Sequence, residues 1–111
     1  MYTREQYLEG IRQAEARKAC KGNLNKAKEF FASEDFEALH KIVVCNQYWL
    51  RAEGIIQDRL SGVGESWHHN GKLRARGTYE HGLHHGVWEW FRDNGQPESR
   101  GTYADGIRNG A

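Results

Sequence analysis

GVGESWHHNGKLRARGTYEHGLHH, residues 62–85, runs directly into GVWEWFRDNGQPESRGTYADGIRN, residues 86–109. At an offset of 24 residues, Gly62, Gly71, Gly77 and Gly82 return as Gly86, Gly95, Gly101 and Gly106. Asn70-Gly71 returns as Asn94-Gly95, Arg76-Gly77-Thr78-Tyr79 as Arg100-Gly101-Thr102-Tyr103, and Glu65 and Trp67 as Glu89 and Phe91. No insertion breaks the register, and Gly110 opens a third unit. Self-similarity at a fixed period is the signature of a repeat architecture, so residues 62–111 are read as one structural unit used twice.

Within each unit the hydrophobic pattern is short and strand-like. Residues 63–69, 73–79, 87–92 and 98–103 are bounded by glycine-containing turns, and Asn70-Gly71 and Asn94-Gly95 signal tight hairpins. Glu80-His81-Gly82 and Ala104-Asp105-Gly106 place glycine where positive φ is wanted. Pro97 lacks an N–H and belongs at a strand start. The expectation is an antiparallel meander. Simple alternation puts Trp88 and Trp90 on one face and Glu89 and Phe91 on the other. The first unit has Gly64 where the second has Trp88, so the two copies share a backbone plan and differ in surface.

Residues 1–61 carry a helical pattern instead. Thr3 and Gln6 form a capping-box signature, and Tyr7, Leu8, Ile11 and Ala14 make a narrow apolar stripe. Glu9 with Arg12 and Glu15 with Lys18 are spaced to support the exposed side. Lys21-Gly22-Asn23 reads as a stop, and a second helix follows over about 24–32. Ser33 reads as the next N-cap, ahead of a third helix with Phe36, Leu39, Val43, Asn46 and Leu50 on one stripe, ending near Glu53-Gly54. The predicted helices are thus about 3–20, 24–32 and 34–53. No flexible linker separates them from the repeats, so the fold class is α+β: N-terminal helices packed against a C-terminal antiparallel meander, with residues 1–111 forming a single compact domain.

Composition bounds the function. The chain has 111 residues, a formal charge of +1 and a mean hydropathy of -0.89, which fits a small protein with a thin apolar layer. Basic and acidic residues balance in both halves, which argues against a broad phosphate-binding surface. Cys20 and Cys45 form no CxxC pair and read as reduced thiols. No leader-like segment opens the chain and no apolar run approaches the length of a membrane span, so the expected location is the cytoplasm, with no membrane partner.

The repeat resembles MORN repeats, and more closely the variant in bacterial proteins that are often labelled toxin-antitoxin components. The residues that carry the resemblance are Gly86-Val87-Trp88, Trp90-Phe91, Asn94-Gly95, Gly101-Thr102-Tyr103, Gly106 and Gly110. The first unit matches at Trp67, Asn70-Gly71, Gly77-Thr78-Tyr79, Gly82 and Gly86. The resemblance covers residues 62–111 and implies a gently twisted antiparallel sheet used as a contact module. Residues 1–61 resemble no family.

Large aromatics dominate desolvated interface cores, so Trp88, Trp90, Phe91, Tyr103, Tyr79 and Trp67 are the expected partner-binding residues. The expected partner is another protein, a host factor or a toxin, with the chain acting as an inhibitor or antitoxin-like adaptor of phage or bacterial type. The strand over 98–103 is expected to offer an exposed edge, open to a homodimer or a partner's strand. No catalytic residues and no cofactor are expected: there is no phosphate loop, no HExxH and no nucleophile elbow, and Glu65 and Glu89 read as cross-strand partners of Arg76 and Arg100. Two alternatives come from the sheet's other side chains. His68, His81 and His85 supply three nitrogens of the sort zinc accepts. Arg74 and Arg92, interleaved with aromatics, supply the chemistry of a single-strand nucleic-acid binder.

Overall fold

The computed structural model describes residues 2–109, the last without its side chain; the third unit expected from Gly110 lies outside them. Four helices, α1 (Arg4–Ala16), α2 (Lys21–Ala32), α3 (Phe36–Cys45) and α4 (Tyr48–Arg51), precede five strands. The strands are β1 (Gly62–Trp67), β2 (Leu73–Glu80), β3 (Leu83–Phe91), β4 (Pro97–Ala104) and β5 (Ile107–Asn109). The sheet is an antiparallel meander in the order β1-β2-β3-β4-β5, and the helices pack against its β1 end. This is the α+β arrangement that the change of period dictates.

α1 begins where its capping chemistry places it, and α1 and α2 end where no glycine announces it. Thr3 Oγ1 accepts the Gln6 N–H at 3.1 Å while Gln6 Oε1 accepts the Thr3 N–H at 2.9 Å, closing the expected capping box. α1 then stops at Ala16, four residues before its predicted end. Lys18 takes φ 60, its N–H donates to the Glu15 carbonyl, and the Ala19 N–H donates to the Ala14 carbonyl. That pair of bonds is a Schellman ending built on lysine in place of glycine. Glu34, at φ 60, ends α2 in the same way. Ser33, read as an N-cap, closes α2 instead, and Asp35 caps α3 by accepting the Ala38 N–H at 3.1 Å.

Lys21-Gly22-Asn23, read as a stop, is the first turn of α2. A Cβ on Gly22 would stand 2.2 Å from the Trp67 carbonyl oxygen, so glycine is there to let the helix touch the strand backbone. The predicted helix over 34–53 is broken at Asn46, whose Nδ2 donates back to the Ile42 carbonyl at 2.8 Å and diverts the chain into α4. The exposed i,i+3 pairs expected on α1 are replaced by longer contacts: Glu15 pairs with Lys28 and Arg17 with Glu53, while Glu9 accepts from Gln13.

The helical core gathers Tyr7, Ile11 and Ala14 of α1, Leu24 and Ala27 of α2, Leu39, Ile42 and Val43 of α3, and Trp49 and Leu50 of α4. Phe36 stacks on Tyr7 at its margin, with ring centroids 5.9 Å apart. Helices this short are marginal in water alone, and the shared apolar cluster is what holds them.

In the sheet, Asn70-Gly71 belongs to a longer turn than the sequence pattern implied. The Gly71 N–H donates to the His68 carbonyl and Asn70 Oδ1 accepts from the Lys72 N–H at 3.0 Å. The two-residue hairpin turns lie at the other end, at His81-Gly82 (φ 50 and 78) and Asp105-Gly106 (φ 49 and 81). Positive φ at both central residues matches the twist of the flanking strands. As a result β3 starts at Leu83, four residues before its predicted start, and β5 follows as an unpredicted strand. Pro97 opens β4, as its missing N–H requires.

Candidate functional site

One face of the sheet is laid out by glycines. Gly64 on β1 pairs with Gly77 on β2, and Gly101 on β4 pairs with Trp88 on β3. The Trp88 ring lies directly over Gly77, where a Cβ would stand 2.1 Å from the indole, and its Nε1–H donates to the Thr78 carbonyl at 2.9 Å. Tyr79, His84 and Trp90 surround the indole, with ring centroids 5.1, 4.2 and 5.9 Å away. Trp88 is only 1% exposed. Burying such a ring stabilises the sheet by about 3 kcal/mol, but leaves nothing for a partner to touch.

The helices replace the aromatic in the first unit. Gly64, equivalent to Trp88, leaves room for the Tyr79 ring and for Cys45 at the end of α3, whose Cβ lies 3.5 Å from where a Gly64 Cβ would be. Cys45 Sγ lies 3.6 Å from the Tyr79 hydroxyl. Burial pushes both the Cys45 thiol and the Tyr79 phenol above their ordinary pKa values, so the pair is neutral at physiological pH. Trp67 is half-buried at the same seam, edge-on to Phe30 and under the Lys26 ammonium.

Asn23 ties this seam together. Its Oδ1 accepts the Trp67 N–H at 2.7 Å and the Ser66 hydroxyl at 3.3 Å, and its Nδ2 donates to Asn46 Oδ1 at 3.5 Å. The residue is 4% exposed. One buried amide therefore joins α2, the end of α3 and β1, a role that the reading of Lys21-Gly22-Asn23 as a stop misses.

Of the six aromatics expected to bind a partner, Trp88 is buried, and Tyr79 and Trp67 are partly buried at the seam with the helices. Trp90 and Tyr103 are partly buried and lie on strands away from the helices, edge to face with centroids 5.9 Å apart, and His84 adjoins Tyr103 at 5.1 Å. Phe91 is half-buried in a shallow hollow with Lys72, Leu73 and Gly95. Trp90 and Tyr103 make one continuous aromatic patch; Phe91 lies outside it.

The opposite face carries a row of alternating charge. Register places Glu65, Arg76, Glu89 and Arg100 side by side across four strands. Arg76 Nε donates to Glu65 Oε2 at 3.0 Å, and Glu65 is 8% exposed. Such cross-strand pairs contribute roughly 0.2–1 kcal/mol each. The expected Glu65–Arg76 pairing is therefore present. Arg74 and Arg92 are both exposed, but the acidic members of the row give that face mixed sign, not the basic track a phosphate backbone needs.

The histidines do not assemble. His68 stands at one end of β2, where its Nε2 bonds the Phe91 carbonyl at 2.8 Å. His81 and His85 stand at the other end, His85 facing Glu80 at 3.2 Å. β2 has eight residues, so roughly 25 Å separates the two ends. Among the described residues no three His, Cys, Asp or Glu side chains come together to hold a metal ion, which overturns the zinc reading. Equally, no described helix is long and apolar enough to cross a membrane.

The sequence profile of the MORN repeat variant matches residues 60–81 and 85–105. These segments fall on the two repeat units, so the C-terminal half of the chain carries MORN-like repeats, with helices packed against the β1 end of their sheet. No curated protein and no solved structure matches the chain.

Proposed function

We propose that the chain is a protein-contact module, acting as an inhibitor or antitoxin-like adaptor by covering a surface of another protein with the aromatic patch at Trp90 and Tyr103. The observation that carries this reading is the uneven cover of the glycine-bearing face. Helices α2 and α3 close it over β1, Tyr79 fills the gap beneath them, and Trp90 of β3 and Tyr103 of β4 lie away from the helices and are only partly buried. The buried Trp88 stacks on Trp90, and Trp90 meets Tyr103 edge to face, which holds these rings in place, so little ordering entropy is lost when a partner arrives.

The test is affinity capture from a lysate of the native host, comparing the parent chain with Trp90→Ala/Tyr103→Ala. Circular dichroism should show an unchanged fold, because neither ring is fully buried. The expected result is a stoichiometric partner retained by the parent and lost by the double variant. Equal recovery by both removes this face as the contact.

A further inference from the structure

Where the helices meet the end of β2, the chain forms a pocket of about 280 Å³. Four separate parts of the sequence line it: Cys45 closes α3, Arg51 closes α4, Arg59 lies in the connection to β1, and Tyr79 is on β2. Hydrogen bonds fix this frame. Gln47 Oε1 accepts the Leu60 N–H at 2.7 Å, and Gln47 Nε2 donates to the Leu60 carbonyl at 3.2 Å. The Gly82 N–H donates to the same carbonyl at 3.0 Å. Leu60 is thereby pinned between the start of α4 and the β2–β3 turn, and it carries Arg59 with it. The Arg59 stem lies across Gly82, its Cδ 2.7 Å from where a Cβ would stand, so the absence of a side chain at 82 makes room for it.

The charged residues lining the pocket are both arginines. Among the described residues neither guanidinium lies within ion-pair distance of a carboxylate; Glu53 pairs with Arg17 and Glu80 with His85. Beside them stand two neutral groups that keep their protons. The Tyr79 hydroxyl has the Cys45 sulfur, a weak acceptor, as its partner at 3.6 Å, and burial raises the pKa of both. A forked guanidinium matches the oxygens of a phosphate, and two of them balance a double negative charge. The volume falls just below the roughly 300–1,000 Å³ of drug-sized sites, which suits a compact ligand. The second unit has no such place: Tyr103, the counterpart of Tyr79, meets the rings of His84 and Trp90 instead of a thiol.

We propose that this pocket binds a doubly charged phosphate group, free or on a small ester, with Arg51 and Arg59 neutralising it and the Tyr79 hydroxyl donating to one of its oxygens. Such a ligand touches the ends of α3 and α4, the connection to β1 and the sheet at once, so its binding ties helices to repeats. The proposal concerns this seam, and does not depend on what the Trp90 and Tyr103 face binds.

The test is isothermal titration calorimetry of the full chain with inorganic phosphate, phenyl phosphate and acetate at about pH 8, where the phosphate groups are largely dianionic. Saturable binding of phosphate or phenyl phosphate is expected, at least tenfold weaker in Arg51→Gln/Arg59→Gln and roughly threefold weaker in Tyr79→Phe. Both arginines are exposed, so the double variant should keep the parent's circular dichroism. Arg12→Gln/Arg92→Gln removes the same charge from exposed positions elsewhere and should bind as the parent does. Tighter binding of phenyl phosphate than of phosphate identifies an ester as the source, and the reverse order identifies the free ion. Phosphate should also raise the melting temperature of the parent more than that of the Arg51/Arg59 variant, since its general salt effect is common to both. No saturation up to about 10 mM overturns the proposal. So does acetate binding as tightly as phosphate, or equal weakening by the two pairs of arginine substitutions.

Discussion

Equivalent glycines in the two units do different physical work, and substitution separates them. A Cβ on Gly77 would meet the buried Trp88 ring at 2.1 Å, while one on Gly101 would meet only the movable guanidinium of Arg108 at 2.8 Å. Overpacking against a fixed ring costs about 2 kcal/mol, whereas displacing an exposed side chain costs under about 0.5 kcal/mol. Gly77→Ala is therefore expected to lower the melting temperature by roughly 8 °C and Gly101→Ala to leave it nearly unchanged. Equal effects, measured by thermal denaturation, would contradict this account. The same contrast shows what sequence could reveal about the site. Alternation correctly placed Trp88 and Trp90 on one face. It could not show that Trp88 is buried, because the cover comes from Gly77 and His84 chosen by register, and from an arrangement of rings that no local pattern encodes.

At the scale of elements, what was legible was whatever local chemistry announces. The Thr3 and Gln6 box marked the start of α1, and Pro97 marked the start of β4. The ends of α1 and α2 were illegible because Lys18 and Glu34, not glycine, take the left-handed position, a choice held by the Schellman bonds. The hairpin ends were misjudged for a related reason. Asn-Gly favours a two-residue turn, but here both Asn-Gly pairs lie in turns that stack between units, with Asn70 Nδ2 donating to the Asp93 carbonyl at 2.6 Å. The seam between α2 and β1 was invisible for a stronger reason: its central group, Asn23, bonds residues more than forty positions away. Asn23→Ala would leave the Trp67 N–H and the Ser66 hydroxyl without that acceptor, at a cost of about 2 kcal/mol. Asn25→Ala, two positions on and exposed, should cost under about 0.5 kcal/mol. Urea midpoints of the two variants measure the difference, and equal midpoints would remove Asn23 from the seam.

For the whole molecule, the question is whether helices and sheet melt together, and two histidines report on it from opposite parts. His40 of α3 bonds the Tyr7 hydroxyl through Nδ1 at 2.7 Å, and His84 of β3 lies among Tyr79, Trp88 and Tyr103. Burial holds both imidazoles below their ordinary pKa. When the folded pKa is depressed, the unfolded chain takes up protons first. The stabilisation is then fully present above the unfolded value of about 6.5 and is lost as pH falls from there through the folded values. We therefore propose that the chain unfolds as one domain whose melting temperature falls between about pH 7 and 5. Helical ellipticity and the tryptophan fluorescence of a Trp49→Phe background, in which the remaining indoles lie on the strands, should give the same midpoint at each pH. His40→Gln and His84→Gln should each flatten the pH dependence seen by both probes, although the residues lie in different parts of the chain. If His40→Gln alters only the ellipticity transition and His84→Gln only the fluorescence one, helices and sheet are separate folding units, and the contacts of Asn23 and Cys45 across the seam do not couple them.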